Sequence, residues 1–309
     1  MKLLKPKFWE NNNTSILALI LLPISIIIQL IMQIKMFSNS KKFNIPVICV
    51  GNIYLGGTGK TPLSIKISNI FKKLKVKNAI IKKYHPNQQD EIRLIKNKSN
   101  NLFVASNRAI AVKKAVSKNF KLAILDDGFQ DNSLFKNLNI LCFNENQLLG
   151  NGYTIPSGPL RENINSVKRS DIIVINGKKN KEFEKKLNLI SKKFKIFYSY
   201  YKPINIKKFK NKKILAFAGI GNPENFFSLL KKYKLNVKAK IAYPDHYLYS
   251  KNELDALIKK AKKNKLSLLT TEKDYFRIKH LGFSKIDTLS IGVEIVKERD
   301  FIKELTKIL

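Results

Sequence analysis

The chain of 309 residues carries 59 Lys plus Arg against 22 Asp plus Glu, a formal net charge of +37, with only two cysteines. There is ample chain for a buried core and for more than one domain, and both cysteines sit in apolar runs, VICV and ILCF, which excludes a disulfide-stapled scaffold and fits a reducing compartment. The charge draws the chain to polyanions such as phosphorylated ligands or an anionic bilayer, yet six of the basic residues are Arg and the rest Lys, which argues against base-edge reading of nucleic acid.

Residues 14–37 read TSILALILLPISIIIQLIMQIKMF, and no residue from Ile16 to Met32 is charged. The run is close to the ~20 residues a helix needs to cross the hydrocarbon core. Pro23, Ser25 and Gln29 soften it. It is longer than the ~7–15-residue apolar core of a signal peptide, and no small-x-small cleavage site precedes SNSKKFN, so residues 1–40 are expected to be a retained membrane anchor. Lysines flank both ends, so the positive-inside rule gives no orientation.

From Ile45 onward short β-rich runs alternate with helical patterns: IPVICV then TPLSIKISNIFKKL, NAIIKK, LFVAS then NRAIAVKKAVSK, KLAILDD, LNILCF, and DIIVIN then KEFEKKLNLISKK. This predicts an α/β fold, a parallel sheet flanked by helices, over residues 41–206. The extended aromatic stretch KIFYSYYKPINI closes that block. A smaller α/β domain over residues 207–309 repeats the alternation, from KKILAFAG to KIDTLSIGVEI. Ligands of such sheets bind at the carboxyl ends of the strands, and the polar residues of interest follow strand ends.

GNIYLGGTGKTP (51–62) follows the first strand and opens a helix. Its core reads as a phosphate loop: Gly56, Gly57, Thr58 and Gly59 let backbone N–H groups turn inward, Lys60 adds a cation, and Thr61 offers a hydroxyl to Mg²⁺. Tyr54 stands where the standard P-loop has its first glycine. A second strand, KLAILDDGFQ, ends in Asp126 and Asp127, the acids such a loop needs for its metal. Leu55 occupies the place of the signature lysine of membrane-partitioning ATPases, and in TTEKD the lysine falls one place too late for a guanine-reading motif.

Taken in order, VGNIYLGGTGKTP, DDGFQ, IPSGPLRE, AFAGIGNPENFF, YPDHYLYS and TTEKD resemble the tetraacyldisaccharide 4′-kinase family, the lipid A 4′-kinases, over nearly the whole chain. The resemblance implies an ATP- and Mg²⁺-dependent phosphotransferase. It would act on the 4′-hydroxyl of an acylated glucosamine disaccharide 1-phosphate, a lipid A precursor, at the cytoplasmic face of the bacterial inner membrane. It also makes Tyr54 a family trait. By the same resemblance Asp90 is the catalytic base, assisted by His246 and served by Lys60, while Glu91 and Glu162 join Thr61, Asp126 and Asp127 at the metal and Arg161 clamps phosphate. Tyr84 and Gln130 match further positions that line the site.

The sequence departs from the family at KKYHPNQQDE, where arginine and glycine give way to lysines, the loop is short, and Gln89 replaces the glycine before Asp90. Asp131 stands where the family usually has histidine. A monomer is expected, with an anionic membrane surface and the lipid as partners and no nucleic acid. The alternative is a membrane-bound P-loop switch that recruits a protein or nucleic-acid partner.

Overall fold

In the computed structural model, which describes residues 6–10, 15–36, 40–245 and 247–309, the apolar run forms one helix, α1 (Ile16–Met36). It is long and apolar enough to cross a membrane, and most of it lies at the surface. One stripe faces the protein. Ala18 and Ser25 are buried and Gln29 is half-buried, at the spacing of one helix face, whereas Ile20 is 65% exposed and Ile16, Ile27 and Ile34 are exposed with it.

The chain then builds the larger sheet from β1 (Val47–Gly51), α2 (Lys60–Lys73), β2 (Asn78–Lys83), α3 (Gln89–Lys98), β3 (Leu102–Ala105), α4 (Arg108–Ser117), β4 (Leu122–Asp126), β5 (Leu138–Asn144), β6 (Ile172–Asn176), α5 (Lys181–Ile190) and β7 (Lys195–Pro203). β1 lies between β4 and β5, both parallel to it. On one side the order runs β4, β2, β3 and on the other β5, β6, β7, so the topology reverses at the carboxyl end of β1, where such sheets open a crevice. Because strand side chains alternate, Cys49, Ile81, Leu125 and Leu141 pack on the face covered by Ala111 and Ala115 of α4 and Phe183 of α5. Ile48, Val50, Ile124 and Cys142 pack on the other face, against Leu63, Ile67 and Phe71 of α2. The two thiols are therefore free, buried and on opposite faces.

The smaller sheet comes from β8 (Lys213–Ala218), α6 (Pro223–Lys232), β9 (Asn236–Ala242), α7 (Lys251–Lys263), β10 (Ser267–Thr271), α8 (Glu272–Ile278) and β11 (Ile286–Leu289). Its order is β11, β10, β8, β9, with parallel neighbours. KIDTLSIGVEI, read in the sequence as one run of the second domain, splits at Ser290. The next strand, β12 (Ile291–Ile295), pairs antiparallel with β7 in the larger sheet, and α9 (Glu298–Thr306) follows it. Apolar Val293, Ile295, Phe301 and Leu305 fit the core beside α2, which is why the chain returns. Its two crossings between the sheets lie side by side: the Asn205 amide nitrogen donates to the Thr288 carbonyl, and the Ser290 N–H donates to the Asn205 side-chain oxygen.

Phe301 is fully buried, its ring edge-on to Phe197 with centroids 5.2 Å apart. Phe301→Ala should destabilise the protein by about 3–5 kcal/mol, whereas truncating the exposed Leu309 should stay within about 0.5 kcal/mol. Urea unfolding of the two variants checks this placement of the C-terminal segment.

Candidate active site

The loop after β1 takes its shape from its neighbours. A Cβ at Gly51 would run into Phe129, so the strand ends on a glycine. Ile53, Tyr54 and Leu55 then run beside the segment 159–161: the Leu55 N–H donates to the Pro159 carbonyl at 2.8 Å, the Arg161 N–H to the Ile53 carbonyl at 2.6 Å, and Tyr54 bridges to Leu160. An extended, buried Tyr54 replaces the turn that a first glycine would have made. Asn52 pins the curve by donating to the carbonyls of Tyr54 at 2.5 Å and Gly56 at 3.3 Å and to the Thr58 hydroxyl at 2.9 Å. Gly56 (φ 132°) and Gly59 (φ 95°) take backbone angles that favour glycine, and α2 starts at Lys60 with its N–H groups facing the loop.

At the end of β4, Asp126 has no exposed surface. Its carboxylate accepts from the Thr61 hydroxyl at 3.0 Å, the Ser64 hydroxyl at 3.0 Å and the Lys82 ammonium at 2.8 Å. Lys82 faces it because β2 and β4 pair in that register. The same ammonium, 2% exposed, reaches Glu91 at 2.7 Å. Glu91 in turn lies 3.0 Å from Lys273 of α8, which also approaches Asp245 at 3.6 Å. Burial alone would raise the Glu91 carboxyl, but Lys273 and Lys82 outweigh it and hold it well below its ordinary range. Burial likewise opposes the Lys82 charge, and Asp126 and Glu91 overcome it and keep the ammonium protonated.

Asp90, one residue before Glu91, is also buried. Its Oδ2 accepts from Arg277 Nε at 2.8 Å and Nη2 at 2.6 Å, and Arg277 Nη1 bonds Asp274 Oδ1 at 2.9 Å and the Gly219 carbonyl at 2.6 Å. Thus α8, which opens with the last residues of TTEKD, turns its cations onto the Asp–Glu pair that opens α3. The smaller sheet also meets the phosphate loop directly: a Cβ on Gly221 would stand 2.9 Å from the Gly57 nitrogen.

Asp127 takes φ 60°, an angle aspartate tolerates, and so turns away from Asp126 toward two cations. Arg161 Nη1 lies 3.0 Å and Lys60 Nζ 3.6 Å from its Oδ1. Burial would raise this carboxyl; Lys60, Arg161 and Lys82 together bring it down to about 2. Lys60 itself is lowered, because its burial outweighs the attraction of Asp127. Asp131 pairs with Arg108 at 2.9 Å, and Arg108 also donates to the Asp127 carbonyl at 2.5 Å.

Gly56 to Thr61, Asp126, Asp127, Glu91 and Arg161 therefore converge on the carboxyl end of the central strands. Glu162 stands one step back, bonded to Gln130 at 3.0 Å and ion-paired with Arg169. Tyr84 is exposed and bonds Gln89 at 3.1 Å. His246 lies outside the described residues. Sequence reasoning missed Asn52, Ser64, Lys82, Lys273 and Arg277. The available signals were a lysine inside the buried strand NAIIKK and the cations that follow TTE. The Thr61 hydroxyl and the Asp126 and Asp127 carboxylates are hard oxygen donors of the type Mg²⁺ takes. Among the described residues no three His, Cys, Asp or Glu side chains form a cation cage of their own.

A family model described as tetraacyldisaccharide-1-P 4′-kinase matches residues 17–309. A tetraacyldisaccharide 4′-kinase of Pelagibacter ubique is 43% identical over 314 residues, covering 100% of this chain and 99% of its own length. That of Rickettsia bellii is 35% identical with 90% of each covered. The crystal structure of LpxK from Aquifex aeolicus in complex with ATP superposes with a TM-score of 0.72 at 24% identity, covering 95% of this chain and 99% of that one, and so shares the fold.

Lys82→Met would leave two buried carboxylates without their shared cation, a loss of about 3–5 kcal/mol. Glu91 and Asp127 are held below their ordinary values, so they add stability that is full above the usual carboxylate range and is lost as pH falls through their folded values. The ammonium of Lys82 is worth most while they are ionised. The penalty should therefore be largest near neutral pH and shrink as acid protonates the Glu91 carboxylate left without Lys82, as measured by denaturant unfolding from neutral to acid pH.

Proposed function

This chain belongs to the tetraacyldisaccharide-1-P 4′-kinase family, and on that premise we propose that it transfers the γ-phosphoryl group of ATP to the 4′-hydroxyl of an acylated glucosamine disaccharide 1-phosphate. The alternative of a non-catalytic nucleotide switch is not favoured by that membership. The observation that carries the reading is the unbroken polar line from Thr61 through Asp126, Lys82 and Glu91 to Lys273. It ties the phosphate loop to the Asp–Glu pair on the acceptor side.

In the reaction the hydroxyl oxygen bonds to the γ-phosphorus, the bond to the bridging oxygen breaks, ADP leaves, and the hydroxyl proton passes to a base. The loop N–H groups and Lys60 hold the phosphates, with Lys60 released from Asp127 onto the γ-phosphate. Arg161 offers a planar fork to the same oxygens. Mg²⁺, held by Thr61 and Asp126 with Asp127, Glu91 and Glu162 nearby, would neutralise charge on the β- and γ-oxygens. Asp90 accepts the proton, with His246 as its helper. Arg277 pairs with Asp90 in the form described here, so the carboxylate accepts the proton once this pair loosens. On this reading the enzyme works as a monomer at the anionic cytoplasmic surface of the bacterial inner membrane, a location that the apolar helix α1 and the surplus of basic residues support.

Radiolabelled ATP, Mg²⁺ and the disaccharide 1-phosphate should yield labelled lipid; its absence with well-folded protein would overturn the assignment. Asp90→Asn should lower turnover by a factor on the order of 10²–10⁴ with ATP binding retained by calorimetry. Lys60→Ala should lower both. Near-normal turnover in Asp90→Asn would exclude it as the base.

A further inference from the structure

Two polar side chains of α1, Ser25 and Gln29, face the protein, and both end on the segment that carries Arg161 and Glu162. Ser25, 1% exposed, has its Oγ 2.9 Å from the Thr154 carbonyl and 2.9 Å from the Ser157 hydroxyl, and it accepts from the Ser157 N–H at 3.0 Å. Gln29 donates from Nε2 to the Arg161 carbonyl at 3.1 Å and accepts from the Asn163 N–H at 3.3 Å, so its amide brackets Glu162. A helix serving only as an anchor gains nothing from these groups. In an apolar surrounding an unmet hydroxyl or amide costs on the order of 2–7 kcal/mol, and here each is met by backbone of one loop.

The far side of that loop is the phosphate site. Leu160 bridges to Tyr54, the Arg161 N–H bonds the Ile53 carbonyl, and the Arg161 guanidinium reaches Asp127. A continuous run of hydrogen bonds thus joins the apolar helix to the lead-in of the P-loop. The lone tryptophan reports on the same segment: Trp9 Nε1 donates to the Pro156 carbonyl at 3.0 Å, and the Asn151 N–H donates to the Trp9 carbonyl at 3.0 Å.

We propose that Ser25 and Gln29 are positioning residues, which hold segment 154–163 so that Arg161 and the P-loop lead-in are registered for phosphoryl transfer, over and above any role of α1 in membrane attachment. The effect on rate rests on the kinase reading above. The coupling of helix to loop does not.

Threonine and valine are isosteric, so full-length Ser25→Thr and Ser25→Val impose the same steric change and differ in the hydroxyl. Turnover of Ser25→Val should fall on the order of tenfold below that of Ser25→Thr, a loss typical of a displaced positioning contact. Gln29→Leu, which makes α1 more apolar, should retain binding to phosphatidylglycerol–phosphatidylethanolamine vesicles while its turnover falls on the order of tenfold. In each deficient variant the change in Trp9 emission on adding MgATP should shrink relative to wild type. Equal turnover and equal Trp9 response in Ser25→Thr and Ser25→Val would overturn the proposal, as would a Gln29→Leu that loses activity only in step with vesicle binding. If wild type phosphorylates no lipid, the kinase reading fails and the Trp9 response alone decides the coupling.

Discussion

A carboxylate with no access to water fixes the geometry of this molecule. Asp126 ends the strand beside β1, and its charge is tolerable only because two hydroxyls and an ammonium are brought to it. Thr61 and Ser64 lie three residues apart on one face of the start of α2, so meeting Asp126 sets the roll of that helix and with it the position of Lys60. Lys82 comes from the strand on the other side. Its second carboxylate, Glu91, sets the start of α3. One buried charge thus aligns the phosphate loop, a core strand and the helix that presents Asp90.

The smaller sheet completes the arrangement. Lys273 and Arg277, on successive turns of α8, take up Glu91 and Asp90, and Lys98 at the far end of α3 meets Glu272 at 2.6 Å. The two sheets are also joined covalently at adjacent crossings, near Asn205 and Ser290. An interface built of charge pairs, beside a pair of adjacent linkers, can open without exposing a large apolar core. That suits the proposed mechanism, in which Asp90 exchanges its arginine partner for a substrate hydroxyl.

Much of this was legible in the sequence because each local signal had a local cause. Glycines at 56 and 59 mark backbone angles other residues avoid, and Asp126 and Asp127 follow an apolar run short enough to be only a strand. Alternating runs of strand and helix gave the parallel fold, though not its closure, since the turn of KIDTLSIGVEI from one sheet into the other depends on where Phe301 finds its core. Lys82 was hidden because a lysine at the end of a strand usually points to water. It is buried only because register places it opposite Asp126. Arg277 reaches Asp90 across 187 residues of chain, and Lys273 reaches Glu91 over a similar span, a distance pattern reading does not bridge. Ser25 and Gln29 looked like blemishes in an anchor until the loop they bind was in place.

On the proposed mechanism these charges organise transfer to one particular hydroxyl. The most direct test is the identity of the product: ³¹P–¹H correlation of the lipid formed from ATP and the disaccharide 1-phosphate should place the new phosphate on the 4′ carbon. A new phosphate at another hydroxyl, or free phosphate from ATP with the lipid unchanged, would contradict the account.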